Sequence, residues 1–209
     1  MLAMSAEPAK PESVRLFAAL DVPESVRARI DAWGARELTD PALRPVTAEN
    51  LHMTLCFLGR TEVARVSDAS AAVRALPSKP VRIRLASRPV GKPARRPSVW
   101  ALEAAAPAAK TLHSKLAAMF IDAGLLEPER RPFWTHLTVA RTRNEPAKRR
   151  SQRVLRPPGD LPAELAQPFD AVRVSLYRSD LRSDGAKYVS LTQKNLPPSA
   201  SSPGGEEGD

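Results

Sequence analysis

The sequence predicts an α+β fold built on antiparallel sheet. Three observations lead there. Strand-like apolar runs outnumber the helical segments, only a few segments carry clean helical periodicity, and the connections vary in length instead of repeating the strand–helix unit of a doubly wound parallel sheet. Of the 209 residues 43% are hydrophobic and 26% charged, which suits a packed core in one domain or in two small lobes. No run approaches the ~18 consecutive apolar residues of a membrane span. The first residues lack the basic start and apolar block of a secretory signal. Cys56 is the single cysteine, so an internal disulfide and a cysteine-based zinc site are excluded. These features predict a cytoplasmic protein, with neither membrane, metal nor cofactor called for.

The elements follow in order. Residues 1–13 mix Pro, Ala, Glu and Lys and read as a disordered tail. Val14 to Leu20 is a buried strand. Pro23 then opens a helix in which Val26, Ile30 and Trp33 recur at helical spacing. Leu51 to Leu58 is a second strand ended by Gly59, and Thr61 to Leu76 a helix with Val63, Val66 and Val73 on one side. Val81, Ile83 and Leu85 alternate with Arg82 and Arg84 in the period of a half-buried strand. Ser98 to Leu102 is another strand. Ala108 to Ile121 is a helix with Leu112, Leu116, Met119 and Phe120 as its stripe, stopped by Gly124. Phe133 to Arg141, Phe169 to Tyr177 and Lys187 to Thr192 complete the strands. Residues 197–209 are Pro-, Ser- and Gly-rich and acidic, a second disordered tail around a folded body of 14–196.

The formal net charge is +9, and the acidic tails understate the charge of the body. A body this basic favours an anionic partner, most often one bearing phosphate. Two segments concentrate the charge. Arg82, Arg84, Arg88, Lys92, Arg95 and Arg96 form one; Arg141, Arg143, Lys148, Arg149, Arg150, Arg153 and Arg156 form the other, placed to track a nucleic-acid backbone.

Two of the three histidines share a local pattern. His52-Met53-Thr54-Leu55 and His136-Leu137-Thr138-Val139 both read His-x-Thr-aliphatic inside an apolar strand. In a strand, His and Thr then share a face roughly 6.6 Å apart while the aliphatics point to the other. Two such strands side by side line one groove with two imidazoles and two hydroxyls. An imidazole of ordinary pKa serves as acid or base near neutral pH, so such a pair suits displacement at a phosphodiester. One histidine takes a proton from water, the other protonates the departing ribose oxygen, and the hydroxyls bind the phosphate oxygens. By strict alternation Cys56 falls on the His52 face but roughly 13 Å away, which makes it a packing residue instead of a nucleophile. His113 lacks the pattern and reads as structural or surface. The paired spacing of a His-x-His or His-Glu-x-x-His metal site is missing.

The two motifs resemble those of the 2H phosphoesterase superfamily. Arg15-Leu16-Phe17-Ala18-Ala19-Leu20, the block from Glu49 to Gly59, Arg131 to Arg141, Arg178-Ser179 and Gly185-x-x-Tyr188 narrow the resemblance to its RNA 2′,3′-cyclic phosphodiesterase branch, also called 2′-5′ RNA ligases. The resemblance implies a bilobal, pseudo-twofold fold of two antiparallel sheets with outer helices and a central cleft. It implies metal-independent hydrolysis of a 2′,3′-cyclic phosphate to a 2′-phosphomonoester, with reversible 2′-5′ RNA ligation as an accompanying reaction. Carried over, His52 is the proton donor and His136 the proton acceptor, and Thr54, Thr138 and Arg141 bind the phosphate. Alternation alone puts Arg141 on the Leu137 face, at a strand end where alternation is easily broken. Phe17 and Trp134 are candidates for stacking on a nucleobase, and Trp134-Thr135 departs from the family's usual residues before the second histidine.

The partner implied is RNA with a 2′,3′-cyclic phosphate end, acted on by a monomer. A relative acting on a small cyclic nucleotide or on ADP-ribose cyclic phosphate is the alternative within the superfamily. A non-catalytic protein that holds RNA ends is the alternative outside it.

Overall fold

The computed structural model describes residues 11–145, 150–182 and 185–200. Most of both expected tails, and Lys148 and Arg149 of the second basic segment, lie outside the described residues. The packed body is slightly wider than 14–196. The Glu12 carbonyl accepts the Val63 amide at 2.9 Å, and Ser199 binds the Asp170 carboxylate through its amide at 2.8 Å and its hydroxyl at 2.7 Å.

Strand β1 (Ser13–Asp21) carries the run Leu16 to Leu20, no member of it more than 1% exposed. An uninterrupted apolar run of this kind belongs to a strand covered on both faces. Pro23 caps helix α1 (Glu24–Glu37), its fixed φ suited to a helix start, and Ile30 and Trp33 are buried from it. Strand β2 (Leu43–Pro45) has only three residues, too few to show a periodicity. Strand β3 (His52–Glu62) runs past Gly59, which has a φ of 68° beside an irregularity in the pairing with β1. Glycine bends this strand where the sequence alone suggested an end.

Helix α2 (Val66–Ala75) therefore starts later than Thr61: Thr61 and Glu62 still pair with Val14 and Ser13, and a 3₁₀ turn spans Val63–Arg65. Strands β4 (Arg82–Lys92) and β5 (Val99–Ala105) lead to helix α3 (Pro107–Asp122). Gly124, at φ 65°, ends α3 with Gly124 N–H donating to Ile121 O and Leu125 N–H to Phe120 O, both at 2.8 Å. Strand β6 (His136–Thr142) is followed by the small pair β7 (Asn144–Glu145) and β8 (Arg150–Ser151). The run Phe169 to Tyr177, expected as one strand, is two: β9 (Phe169–Asp170) pairs with β4, and β10 (Arg173–Arg182) pairs with β1. Between them Ala171 N–H donates to Val81 O and Val172 N–H to Asp21 O, so the chain changes sheet within two residues. Strand β11 (Gly185–Asn195) closes the fold.

Among the described residues all pairings are antiparallel, in one sheet of order β11-β10-β1-β3, another of order β2-β6-β5-β4-β9, and the separate pair β7-β8. A repeated unit underlies them. In each half a strand, a helix opened by proline, and a motif strand follow one another, as β1-α1-β3 and as β5-α3-β6, and the motif strand pairs back onto the first strand. Helices α2 and α3 pack against the first sheet, α3 on β3. Helix α1 turns toward the second sheet, where Ile30 and Gly34 line a small cavity with Val46 and Val139.

Asp40 ties the segment after β8 to this frame. Its buried carboxylate accepts the amides of Ala42, Leu155 and Arg156, each at 2.8 Å. Burial alone would raise its pKa; the three amides and the Arg156 charge outweigh burial and hold it below the ordinary 3.8. The stabilisation is thus present at neutral pH and is lost as pH falls through the lowered pKa. Asp40→Asn keeps the volume but removes the charge and leaves fewer acceptor sites. A loss of about 1–3 kcal/mol is expected, read as a lower urea midpoint with an unchanged slope. An unchanged midpoint would mean that the segment is held by other contacts.

Candidate active site

Both motif strands carry one extra residue at the same place. In β3, Thr54 lies opposite Ala19 and Cys56 opposite Ala18, so Leu55 has no partner position. In β6, Thr138 lies opposite Ala101 and Ala140 opposite Trp100, and Val139 is the extra residue. Both are buried. A bulge restarts the alternation of faces. His136, Thr138 and Arg141, opposite Glu103, Ala101 and Val99, therefore share one face of the second sheet. Arg141 is brought to the histidine face by the bulge, against strict alternation. On the first sheet His52, Thr54 and Phe57 share a face, opposite Asp21, Ala19 and Phe17.

Cys56 goes the other way. Strict alternation put it on the His52 face; the bulge turns it into the core, with Sγ 3.7 Å from Nδ1 of His113 on α3. Burial first, then the Glu129 carboxylate, push its thiol up to about 12, so it is no nucleophile. His113 proves to be a brace. Its Nδ1–H donates to the carbonyl of the bulge residue Leu55 at 2.8 Å, and its ring stacks on Phe133 at 4.1 Å, three residues before His136.

The two imidazoles are set in one way. His52 Nδ1 lies 2.7 Å from the Asn50 carbonyl and His136 Nδ1 lies 2.7 Å from the Trp134 carbonyl. A carbonyl only accepts, so each Nδ1 carries the proton and each Nε2 is the nitrogen left to accept. The Thr54 hydroxyl sits 3.1 Å from His52 Nε2. Burial, then the charges of Arg141 and His136, take the His52 pKa down to about 4 despite the Asn50 hydrogen bond. Burial, then Lys92 and Arg141, also lower that of His136, while the Trp134 carbonyl and the Glu103 carboxylate oppose the shift. Arg141 acts on both rings, which places the two motifs and the arginine within electrostatic reach of one another.

The surroundings differ. Phe17 is 1% exposed, with His52 at 4.9 Å, Tyr177 at 5.2 Å and Tyr188 at 4.8 Å between ring centres. That packing leaves it no face for a nucleobase, and it serves as a floor under His52. The exposed aromatic of this face is Phe57, 54% exposed and stacked on Phe17 at 5.7 Å. Around the second motif Trp134 stacks on His136 at 3.7 Å, donates from Nε1 to Glu103 at 2.8 Å, and holds Lys92 Nζ 4.0 Å from its ring centre. With an imidazole on one face and an ammonium over the ring, Trp134 positions His136.

Sequence reasoning missed the carboxylates, because each comes from the strand beside a motif. Asp21 is directly opposite His52 and Glu103 directly opposite His136. Asp21 is engaged elsewhere, accepting Ser175 Oγ at 2.8 Å and Tyr177 OH at 2.7 Å and pairing with Arg173 Nε at 3.2 Å, and burial raises its pKa. Two cavities adjoin the site and share Glu49 and Tyr188. One of ≈ 340 Å³ includes His52, Arg27 and Tyr177; one of ≈ 620 Å³ includes Arg141, Arg44 and Lys187. Among the described residues no group of three or more His, Cys, Asp or Glu is disposed to hold a metal ion, and no helix is long and apolar enough to cross a membrane.

Residues 20–101 match the family described as LigT like phosphoesterase. The chain is 30% identical over 183 residues to the RNA 2′,3′-cyclic phosphodiesterase of Escherichia coli (strain K12), spanning 87% of this chain and 99% of that protein. Among solved structures, TT0787 of Thermus thermophilus is similar with a TM-score of 0.71 at 28% identity, over 88% of this chain and 99% of that one. The E. coli LigT complex with 3′-AMP gives 0.70 at 26% identity, over 88% and 99%.

The charge of Glu103 raises the pKa of His136. Glu103→Gln is therefore expected to lower the His136 pKa further and to leave that of His52 close to its value in the parent protein, as followed by the imidazole proton signals in an NMR pH titration. A His136 titration that does not move would show that Glu103 only holds the Trp134 indole.

Proposed function

The chain belongs to the LigT-like phosphoesterase family, and from that premise we propose that it hydrolyses 2′,3′-cyclic phosphate ends of RNA to 2′-phosphomonoesters with two histidines and no metal ion. The observation that carries this reading is the matched pair of imidazoles, each with Nδ1–H fixed on a carbonyl and Nε2 left to react, in reach of one guanidinium.

In the proposed step His136 Nε2 takes a proton from water as the water oxygen bonds to phosphorus. The P–O3′ bond breaks in line, and His52 Nε2–H gives its proton to O3′. The products are a 2′-phosphate and a 3′-hydroxyl. Thr54, Thr138 and Arg141 donate to the phosphate oxygens as their charge builds. A 5′-hydroxyl in place of water gives a 2′–5′ linkage by the same proton transfers.

The electrostatics support this division of roles. A base gains from a carboxylate that stabilises the imidazolium it becomes, and Glu103 stands opposite His136. Trp134 and Lys92 also hold Glu103, yet its charge still acts on His136. His52 gains no such support from Asp21, which is partly buried and held by Ser175, Tyr177 and Arg173. Its low pKa makes its imidazolium the stronger acid. The anionic phosphate beside it supplies the charge that loads it with a proton on binding.

The test uses an RNA oligonucleotide ending in a 2′,3′-cyclic phosphate, with EDTA present. The expected product end is a 2′-phosphate, and His52→Ala and His136→Ala are each expected to slow turnover by about 10²–10⁴-fold. A 3′-phosphate would contradict the assignment of the leaving oxygen; RNA binding without turnover would make the protein a binder of RNA ends. The pH profile is a second readout. Because both pKa values are lowered, the free protein holds the required single proton only on the acid side of neutrality. kcat/KM is then expected to fall as pH rises above about 6.5.

A further inference from the structure

The cavity of ≈ 620 Å³ has features that the reacting phosphate does not use. Strand β2 pairs with β6 so that Arg44 stands directly opposite Arg141. Side chains directly opposite in an antiparallel pair leave the same face with Cβ atoms about 4.5–5.5 Å apart, and like charges placed so repel. Neither guanidinium has a hydrogen-bond or ion-pair partner among the described residues. Lys187 of β11 reaches the same cavity from the other sheet, equally unpartnered among the described residues. Glu49 is the one carboxylate in the lining, so three cations face one acid there.

The cavity is also continuous with the catalytic groups. Arg141 belongs to both, and Tyr188 in its wall packs edge-on against His52 at 5.3 Å. Asn50, whose carbonyl fixes the His52 tautomer, donates from Nδ2 to Ala186 O at 3.2 Å and so fastens the wall of the cavity to the first motif. An arginine pair that repels itself is relieved by an anion between the two forks, and phosphate takes two guanidinium groups well. With Arg141 directed at the reacting phosphate, Arg44 and Lys187 lie beyond it.

We propose that Arg44 and Lys187, with Arg141 at the shared edge, form a subsite for a second phosphate, the one on the 5′ side of the cyclised nucleoside. The inference rests on the reaction proposed above and deepens it: the preferred substrate is a nucleotide with phosphate at both ends of its terminal ribose, and a bare nucleoside 2′,3′-cyclic phosphate leaves the subsite unused. Such a phosphate belongs to an RNA chain or to the diphosphate of a small nucleotide.

Arg44→Ala, Lys187→Ala and the double variant are compared with the parent protein on three substrates. These are cytidine 2′,3′-cyclic phosphate, the dinucleotide CpC ending in a 2′,3′-cyclic phosphate, and cytidine 2′,3′-cyclic phosphate carrying a 5′-diphosphate. The double variant is expected to lose at least tenfold in kcat/KM, through KM, on a substrate with the second phosphate, and to stay within twofold on the first. Loss on the dinucleotide alone assigns the phosphate to RNA, and loss on the diphosphate alone assigns it to a small nucleotide; both outcomes uphold the subsite. Equal losses on all three, or none on either phosphate-bearing substrate, would overturn it. Thermal stability of Arg44→Ala is expected to hold or rise, since the substitution removes a repulsion. Calorimetric binding of CpC with a terminal 2′-phosphate reads the subsite without turnover. If the parent protein hydrolyses none of the three, the reaction is wrong; if the double variant then still binds CpC 2′-phosphate as the parent does, the subsite is wrong too.

Discussion

An imidazole offers a defined atom to a substrate only when its tautomer is fixed, and in both motif strands a carbonyl two residues upstream does the fixing. The Asn50 carbonyl lies at the end of a 3₁₀ turn and the Trp134 carbonyl in the extended approach to β6, yet both sit 2.7 Å from Nδ1. The rest of the site is arranged around that bond. With Nδ1 occupied, Nε2 of each ring is the nitrogen left to accept, and the threonine two residues on shares its face. The bulge at the fourth motif residue then decides what comes next on that face. In β6 it supplies Arg141, and in β3 it supplies Phe57 while sending Cys56 into the core.

The frame is close to symmetric and the chemistry is not. His52 rests on a cluster of Phe17, Tyr177 and Tyr188, a setting that strips solvent from the ring and leaves its charged form poorly supported. His136 rests on Trp134, whose indole is held by Glu103, and Lys92 lies over that indole. Two equivalent strands thus present one imidazole that sheds a proton readily and one whose charged form the Glu103 carboxylate supports. The proposed step draws on that difference, with one ring as acid and the other as base.

Much of this was legible in the sequence, where regular periodicity produced it. The buried run of β1, the stripe of α3 with its Gly124 stop, and the shared face of His and Thr in each motif follow from period and turn chemistry alone. What escaped was whatever a single residue decides. A one-residue bulge leaves no compositional trace, so strict alternation misplaced Cys56, and Arg141 kept its place beside the histidine only through the family resemblance and the looseness of alternation at a strand end. Phe17 is a stacking candidate through the family resemblance alone; the packing of Tyr177 and Tyr188 against it makes it floor. The three residues of β2 and the change of sheet at Ala171 and Val172 are too short for any period to register. Glu103 and Asp21 come from strands that carry no motif, and tertiary pairing alone sets them opposite the histidines.

The division of labour between the two histidines is open to one direct measurement. A 2′,3′-cyclic phosphate with sulfur in place of the 3′-bridging oxygen releases a thiolate, which needs no general acid. On this substrate His52→Ala is predicted to approach the rate of the parent protein, while His136→Ala stays as impaired as on the oxygen substrate. Rescue of His136→Ala in its place would exchange the two roles, and rescue of neither would contradict acid catalysis at O3′ altogether.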